Sequence, residues 1–486
     1  MPQPISLTFL GASRTVTGSK YLLTTGSARV LIDAGLFQGL KMLRLKNWND
    51  LPVPAADIDA IVLTHAHLDH CGYLPRLVMQ GFRGRVFCTA GTRDLCKIVL
   101  PDSGRIQEED AASANRHGYS KHSPALPLYG EVDAFRAVSL LQPVGYERPM
   151  PVADGVEVEF LSAGHLLGSA YARVRTAGLT ILFGGDLGRY DRPILPDPVP
   201  VKAADYLLVE STYGNRVHEQ DDHGERLAAV IRATADRGGK LIIPSFAIGR
   251  VEELLYWIGR LEQEERIPVL PVFLDSPMAM EALARYRERL NELDPDLQPE
   301  SADDKAPHDA AAHQPAARRR ERAGQERGVC TFCTERFRVV AHSEESKQLT
   351  ASRMPAIVIS SSGMATGGRV LHHLKAALPE DRNTVLLVGF QAEGTRGRQM
   401  LEGAQTVKIH GQAIPVRAHI DRVESMSAHA DASEIMRWLE GYARPPRRTF
   451  LVHGEPAPMD VLAGAIRAKL GWTVHTPELG EVVTLG

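Results

Sequence analysis

The segment that most constrains the fold is VLTHAHLDHCG, which runs from Val62 to Gly72. Within six positions it contains His65, His67, Asp69 and His70, directly after the aliphatic run AIVL, which predicts a buried strand. Imidazole nitrogens and carboxylate oxygens are ordinary zinc ligands. On a loop after a strand, the side chains of His65 and His67 can face one way and those of Asp69 and His70 another. The segment therefore predicts a metal site at a strand end, with ligands for two neighbouring ions.

Other predicted strands also end in polar residues. In the first half of the chain these strands are ISLTFLG, ARVLIDAG, AIVLTHAH, VEVEFLSAGH, LTILFGGD and ADYLLVEST. Layered α/β folds place functional loops at strand ends, so two of these ends supply further ligand candidates, His165 and Asp186. A single carboxylate can bridge two cations, and two metals about 3.5–4 Å apart can activate a water and hold both oxygens of an in-line displacement.

The pattern changes from about residue 215. Helical stretches such as VEELLYWIGRLEQE alternate with the strands KLIIPSFA, PVFLDS, AIVISSSG and TVLLVGF, which predicts a parallel sheet. DASEIMRWLEGYA then predicts a helix with Asp431 and Ser433 as capping candidates, and RTFLVHGE predicts another strand. Residues 294–328 are rich in alanine, proline and charge, and they predict a mobile surface insertion.

Composition sets broad limits. A chain of 486 residues is expected to form two to four domains. Its net charge of −3 argues against a polybasic binder, although a local basic cleft remains compatible with a nucleic-acid enzyme. Five cysteines do not form a disulfide framework in a chain of this length. No secretory signal or membrane-spanning run is recognisable, so we expect a soluble, cytoplasmic protein.

The motifs also resemble a known family. THAHLDH, AGHLLGSA and GGDLGR resemble the signature of the metallo-β-lactamase fold, and VESTYGNRVH, SMSAHAD and FLVHGE resemble motifs A, B and C of the β-CASP family. That family includes bacterial ribonucleases and the endonuclease subunit of the eukaryotic pre-mRNA 3′-processing complex. The resemblance covers almost the whole chain except 294–328. It implies an α/β fold, a metallo-β-lactamase αββα sandwich with an inserted β-CASP α/β domain. The expected domains are 1–214, 215–426 for the insertion, and 427–486.

The resemblance also implies a cofactor of two Zn²⁺ ions. Asp186 would bridge them. The remaining ligands would be His65, His67 and His165 for one ion, and Asp69, His70 and His453 for the other.

Catalytic and substrate-binding roles follow from the same resemblance. His429 would be the general acid, Glu210 would orient a histidine, and Asp69 would belong to the catalytic group as well as to the ligands. An imidazole titrates in the range that a general acid needs. Ser427 either belongs to a phosphate-holding element or is a simple turn residue, and Arg396 is expected to bind substrate.

Several other residues have two readings. Arg250, Arg369 and Arg398, like Arg396, either contact phosphates or are solvated surface residues. The run RRRER at 318–322 is predicted to belong to a solvated, flexible segment. Cys330 and Cys333 are expected to be free thiols rather than half of a zinc knuckle. His372 and His373 are expected to pack or hydrogen-bond near the domain interface and not to bind metal.

The favoured function is a zinc-dependent ribonuclease that acts on single-stranded RNA, with the strand held in a cleft between two domains. His453 favours RNA over DNA, because RNA-processing members of the family carry histidine at that position. The length of the chain favours the shorter, endonuclease-like bacterial members. The alternatives are a DNA nuclease, a hydrolase of a small ester or thioester, and a non-catalytic scaffold for RNA processing. A membrane partner is not expected, and a homodimer is left open.

Overall fold

The chain is described here by a computed structural model. The structure describes residues 5–118, 120–219, 223–297, 332, 334–389, 391–423 and 425–486. They form two compact units. The first unit comprises residues up to Asp191, Asp197–His218 and Ala428–Gly486, and the second comprises Arg192–Pro196 and Glu219–Ser427.

Two seven-stranded sheets form the centre of the first unit. The first sheet has the order β22-β1-β2-β3-β4-β5-β6, with β1 (Ile5–Phe9), β2 (Tyr21–Thr24), β3 (Arg29–Ile32), β4 (Ala60–Val62), β5 (Arg85–Cys88), β6 (Leu141–Pro143) and β22 (Val482–Leu485). The second has the order β21-β20-β11-β10-β9-β8-β7, with β7 (Met150–Ala153), β8 (Val156–Ser162), β9 (Ala170–Thr176), β10 (Leu179–Phe183), β11 (Tyr206–Glu210), β20 (Arg448–Val452) and β21 (Val474–His475).

The two sheets share one apolar core. Along β1, Ile5, Leu7 and Phe9 are buried while the serine and threonine between them are partly exposed, as the two-residue period of a strand requires. These side chains join one cluster with inward residues of the second sheet. The ring centroids of Phe9 and Phe450, which come from opposite sheets, lie 5.2 Å apart. The sheets are therefore packed face to face.

Helices complete this unit. They are α1 (Lys41–Leu45), α2 (Leu68–Cys71), α3 (Leu74–Met79), α4 (Ala90–His117), α5 (Glu131–Val138), α12 (Ala432–Glu440) and α13 (Pro456–Leu470). Trp438 and Leu439 of α12 and Leu462 of α13 pack on the outer face of the second sheet. On the side of the first sheet, α4 contacts both α5 and β6. The expected αββα sandwich is confirmed.

The second unit contains a six-stranded sheet in which every strand pair is parallel. Its order is β14-β13-β15-β12-β16-β19, with β12 (Lys240–Pro244), β13 (Val272–Leu274), β14 (Phe337–Val339), β15 (Ala356–Ser360), β16 (Thr384–Val388) and β19 (His419–Val423). Its helices are α6 (Glu225–Asp236), α7 (Arg250–Gln263), α8 (Pro277–Glu288), α9 (Ser343–Ala351), α10 (Val370–Ala377) and α11 (Arg396–Leu401), and β17 (Thr406–Ile409) pairs with β18 (Gln412–Pro415) as a hairpin. The predicted parallel sheet is confirmed.

Some sequence features fall outside this description. Most of the expected insertion, together with Cys330 and Cys333, lies outside the described residues. Cys71, Cys88 and Cys96 are buried free thiols. Of the helices in the described ranges, none is both long enough and apolar enough to cross a bilayer.

Candidate metal centre

The polar strand ends of the first unit meet at one edge of the sandwich. In the second sheet, β8 and β10 are both antiparallel to β9, and β10, β11 and β20 are parallel to one another. The four strands β8, β10, β11 and β20 therefore run in one direction and have their carboxyl ends on the same edge. His165, Asp186, Glu210 and His453 lie at or just beyond these ends. In the first sheet, β4 leads into the loop that carries His65 and His67.

The first group of side chains contains His65, His67, His165 and Asp186. His67 Nδ1 lies 3.1 Å from His65 Nε2 and 3.2 Å from His165 Nε2. Asp186 Oδ2 lies 3.4 Å from His65 Nε2 and 3.5 Å from His165 Nε2. Three imidazole nitrogens and one carboxylate oxygen thus converge on a single point, which is the coordination set of a cation.

The second group contains Asp69, His70 and His453. His453 Nε2 lies 3.1 Å from Asp69 Oδ2, and His70 Nε2 lies 3.2 Å from Asp186 Oδ1. Asp186 therefore presents one oxygen to each group. All seven ligands expected from the sequence come together in the first unit, in the two groups that were expected.

Glu210 and His429 form a pair beside the first group. Glu210 is fully buried at the end of β11, and its Oε2 lies 2.9 Å from His429 Nδ1. The other carboxylate oxygen, Oε1, accepts a hydrogen bond from the backbone N–H of Leu187 at 2.6 Å. The Nδ1 of His429 is also 3.8 Å from Asp186 Oδ2. The carboxylate of Glu210 is thus fixed by the backbone and in turn fixes the imidazole.

A second layer of side chains, not identified from the sequence, orients these groups. Asp33 follows β3, and its Oδ2 lies 2.8 Å from His70 Nδ1. Thr64 donates its backbone N–H and its hydroxyl to the same carboxylate. Ser19 Oγ lies 3.2 Å from His70 Nε2, and Thr212 Oγ1 lies 3.1 Å from His453 Nδ1. Asp33 and Thr212 contact the Nδ1 atoms of His70 and His453, and partners of this kind set the tautomer and orientation of an imidazole that ligates through Nε2.

One available signal pointed to Asp33. The stretch ARVLIDAG resembles the stretches that contain Asp186 and Glu210, because in each an acid lies at or within three residues of the end of a buried strand. Both Asp33 and His453 adopt a left-handed backbone, with φ of 59° and 47°. Residues other than glycine rarely accept this conformation, and it is concentrated at functional sites.

Two glycines allow close contacts around the loops that carry the candidate ligands. A Cβ on Gly185, whose φ is +55°, would lie 2.9 Å from the side chain of Thr64. A Cβ on Gly35 would lie 1.7 Å from the backbone oxygen of Asp69. A larger side chain at Gly185 would displace Thr64, and one at Gly35 would displace the backbone of Asp69.

Burial and charge divide the histidines into two sets. Burial holds the pKa of His65 and His165 below the ordinary value and lowers that of His67 to about 3, so these imidazoles are neutral. Burial opposes the charge of His70 as well, but the carboxylates of Asp186 and Asp33 outweigh it and raise the pKa of His70. A metal ligand must be a neutral imidazole, and the first group already meets that condition.

The pKa values of His429 and Asp186 are shifted because each is surrounded by groups of opposite charge. Burial opposes the charge on His429, but Glu210 and Asp186 outweigh it and raise its pKa to about 9. Burial likewise opposes the charge on Asp186, but the surrounding histidines hold its pKa well below the ordinary value. An acid that stays ionised and an imidazole that stays protonated are therefore held side by side.

The residues fit a divalent cation. Asp186 Oδ1 is buried and has no hydrogen-bond partner among the described residues, although it faces His70 Nε2. An ionised oxygen without a hydrogen bond is costly to bury unless a cation compensates it. His165 Nδ1 lies 3.2 Å from the carbonyl oxygen of Ala428, which leaves its Nε2 free to ligate. Imidazole and carboxylate donors in these numbers suit zinc.

The two expected substrate-binding residues belong to the second unit. Ser427 is buried and is the residue at which that unit ends. Arg396 donates to the backbone oxygens of Lys408, Ala365 and Thr366, and no carboxylate within the described ranges pairs with it.

The other arginines considered have carboxylate partners. Arg250 pairs with Glu253, Arg369 with Asp275, and Arg398 with Glu402. His373 Nε2 also contacts Asp275, at 2.7 Å. These contacts are internal to the second unit, so Arg396 differs from the other three, since no carboxylate of the described residues pairs with it.

The fold and the centre define a class of protein, the metal-dependent hydrolases of the metallo-β-lactamase fold. Family models agree along the chain. Residues 15–80 match the metallo-beta-lactamase superfamily, residues 251–400 match the Beta-Casp domain, and residues 413–477 match the Zn-dependent metallo-hydrolase RNA specificity domain.

Known relatives define the family more closely. A ribonuclease of Thermus thermophilus is 35% identical over 97% of this chain and 98% of its own length. The transcription termination factor FttA of Methanocaldococcus jannaschii is 29% identical over 97% of this chain and 70% of its own length. The chain belongs to the β-CASP family of metallo-β-lactamase-fold ribonucleases, and it is a metal-dependent hydrolase.

A solved structure shares the fold. It is the crystal structure of an Enterococcus faecalis protein of unknown function, with a TM-score of 0.51 and 13% sequence identity, and the match covers 99% of this chain and 100% of that chain. At this identity the likeness extends to the fold alone.

Proposed function

We propose that the chain is a two-zinc ribonuclease that hydrolyses phosphodiester bonds of single-stranded RNA endonucleolytically. The observation that carries this proposal is the convergence of seven ligand side chains and the Glu210–His429 pair within one unit. Support for RNA as substrate comes from the Thermus thermophilus ribonuclease, which matches nearly end to end, and from the RNA specificity domain model over residues 413–477.

In this proposal His65, His67 and His165 would hold one zinc, and Asp69, His70 and His453 would hold the other. Asp186, which presents one oxygen to each group, would contribute to both. Zinc supplies Lewis-acid chemistry, since it lowers the pKa of water and offsets the charge on phosphate oxygens. Asp69 would be a ligand and also a member of the catalytic group, and its side chain is 18% exposed.

His429 is the proton donor in the proposed reaction. Glu210 holds its Nδ1, and the protonated imidazole gives a proton to the leaving oxygen as the phosphorus–oxygen bond breaks. A pKa raised to about 9 keeps the imidazole protonated at neutral pH, and its side chain is 19% exposed. General acid catalysis of this type contributes about 10²- to 10⁴-fold to a rate.

Arg396 and Ser427 are the proposed contacts to the RNA backbone. Arg396 has no carboxylate partner among the described residues, and its neighbourhood is cationic. The charges of Lys375 and Arg396 both lower the pKa of His410, after the larger effect of burial. The rings of His372 and His410 lie 4.7 Å apart. The positive charges of Lys375 and Arg396 attract phosphate without reading the base sequence.

The first experiment uses one single-stranded RNA labelled at either end, with matched single-stranded DNA as a second substrate. The zinc-loaded protein is compared with an EDTA-treated sample, with His429→Ala and with Glu210→Gln. We expect His429→Ala to lower kcat by about 10²- to 10⁴-fold at unchanged zinc content. His122→Ala, an exposed histidine in the same unit, is the matched control and is expected to retain full activity.

The two labels distinguish the modes of cleavage. Internal products from both labels indicate endonuclease action, whereas mononucleotides from one end indicate an exonuclease. A protein that binds two zinc ions but cleaves no RNA would refute the proposal, and so would a His429→Ala variant with wild-type kcat.

A further inference from the structure

An exposed apolar segment lies between β3 and β4 in the first unit. It consists of residues 39–50 and contains α1 followed by the 3₁₀ turn Lys46–Trp48. No residue of α1 is buried. Its large apolar side chains face solvent, with exposures of 46% for Leu40, 79% for Met42, 53% for Leu45 and 46% for Trp48. Exposed side chains grouped in this way mark a binding surface more often than they mark an ordinary surface.

The same segment carries unbalanced positive charge. Lys41, Arg44 and Lys46 alternate with the apolar residues, and no acid occurs in the sequence between Asp33 and Asp50. No carboxylate within the described ranges pairs with any of the three cations, whereas most arginines of the first unit have an acidic partner, such as Arg29 with Asp57 and Arg173 with Glu159. The guanidinium of Arg76 adds a further cation, 6.0 Å from the centre of the Trp48 ring.

Both ends of the segment are attached to the loop that carries the metal ligands. Ahead of it, Leu36 donates its backbone N–H to the carbonyl of Leu68, which is the residue between His67 and Asp69. Asn47 is buried and exchanges two hydrogen bonds with the backbone of Phe37. At the far end, the hydroxyl of Tyr73, three residues beyond His70, donates to the carbonyl of Asn49 at 3.0 Å. Trp48 is therefore held next to the metal loop by a chain of direct contacts.

We propose that residues 39–50 form an RNA-binding arm, on which a base of the single-stranded substrate stacks against Trp48 while Lys41, Arg44 and Lys46 contact its phosphates. Proteins that hold single strands without sequence preference combine an aromatic platform with cations in this way. An apolar protein partner would not require three unpaired cations. A membrane-binding helix needs a longer apolar face than the five residues of α1. This inference rests on the proposed function, since it assigns part of the path of the same substrate.

The test measures RNA binding by the full-length, zinc-loaded chain in a His429→Ala background, so that the RNA is not consumed. The probe is a fluorescein-labelled single-stranded oligouridylate. We expect Trp48→Leu to raise the Kd about tenfold, while Trp48→Phe stays within about threefold of the parent, because stacking needs a ring and not merely an apolar side chain.

The charges are tested through the salt dependence of the Kd. For each phosphate of a single strand that the protein no longer neutralises, the slope of log Kd against log salt becomes shallower by about 0.7. We therefore expect Lys41→Ser with Arg44→Ser to reduce the slope by about 1.4. Arg116→Ser with Lys121→Ser removes the same charge from exposed positions of the same unit and is the matched control, with no expected change in slope.

A Trp48→Leu variant that binds the oligouridylate as tightly as Trp48→Phe would overturn the arm, and so would an unchanged salt slope in the Lys41/Arg44 variant. If the wild-type chain self-associates, and Trp48→Leu abolishes this association without changing the Kd for RNA, the surface binds a second copy of the chain instead. The two proposals fail separately. If RNA binding is tight and depends on Trp48, but the enzyme with His429 intact cleaves no RNA, only the nuclease proposal is refuted. If the enzyme cleaves RNA, but the arm variants bind it as tightly as the parent, only the arm proposal is refuted.

Discussion

At the scale of single residues, Asp33 shows how a group acts on the centre without touching a metal. Its carboxylate accepts from Thr64 and contacts His70 Nδ1 at 2.8 Å, so that His70 presents Nε2 to the centre. Removing a partner of this kind lowers metal affinity by about 10- to 100-fold. We expect Asp33→Asn to weaken zinc binding by this factor, as measured by competition with a chelator. Asp50→Asn, an exposed acid of the same unit, should leave zinc affinity unchanged, and equal affinities in the two variants would contradict the assignment.

Lys20 leads to a prediction about pH. It is 3% exposed, its Nζ donates to the carbonyls of Gly18 and Gly35, and burial lowers its pKa to about 7. An unfolded lysine titrates near 10.4, so between about pH 7 and 10 the unfolded chain binds more protons than the native one. Native stability should therefore rise with pH in this window, by at most about 1.4 kcal/mol per unit, and be flat below it.

The Lys20→Met variant lacks this titrating group. The free energy of unfolding of the wild type should therefore increase, relative to that of the variant, between pH 7 and 9. Urea unfolding at each pH measures this difference, in which titrations common to both proteins cancel. Lys121→Met, which removes an exposed lysine, should show no pH-dependent difference. If the difference between wild type and Lys20→Met does not change with pH, the pKa of Lys20 is not lowered in the native state.

At the scale of elements, the N-terminus of α12 joins two parts of the first unit. Asp431 is its N-cap, and one carboxylate oxygen accepts from the backbone of Ser433 and Glu434, as the sequence predicted. The other oxygen accepts from the backbone of His218 at 2.7 Å. Loss of an N-cap costs about 0.5–2 kcal/mol, and here a second buried donor also loses its partner.

We therefore expect Asp431→Ala to reduce the free energy of unfolding by about 2 kcal/mol or more. Ser433→Ala removes only the hydroxyl that donates to Asp431 and should cost clearly less. Urea unfolding of both variants provides the measurement, and equal losses would show that the cap is not the source of the stability.

Sequence periodicity predicted some elements and missed others for a physical reason. The strands β4, β10 and β11 are short aliphatic runs that end in polar residues, and they were predicted. The 28-residue helix α4 was not, because it contains Gly91, Pro101 and Gly104 and lacks one continuous apolar stripe. Its first half is buried on several sides and its second half is mostly exposed, so tertiary packing rather than local pattern determines it.

At the scale of the whole molecule, the seven candidate ligands are spread along the sequence between His65 and His453. The sequence singled them out because each lies in a distinctive motif, and the parallel strands bring their carboxyl ends to one edge. Ser19, Thr64 and Thr212 could not be identified in the same way. Their roles depend on hydrogen bonds across strands, and serine or threonine beside a strand is too common for the sequence alone to single out. The pair of Arg369 with Asp275 was hidden for a similar reason, since the two residues are 94 positions apart in the sequence. Arg250 with Glu253 and Arg398 with Glu402 are instead three and four positions apart on one helix.

Because the proposed ions would be bound only by the assembled centre, they should stabilise the folded chain. A ligand that binds the native state alone adds about 4 kcal/mol when it is present at a thousand times its Kd. We expect chelation by EDTA to lower the Tm of the wild-type chain and zinc to restore it, as followed by calorimetry. His165→Ala removes one ligand and should lose most of this response, whereas His122→Ala should retain it in full. A Tm that EDTA does not change, in a chain shown to release its metal, would mean that the seven side chains are held in place by their own hydrogen bonds and ion pairs.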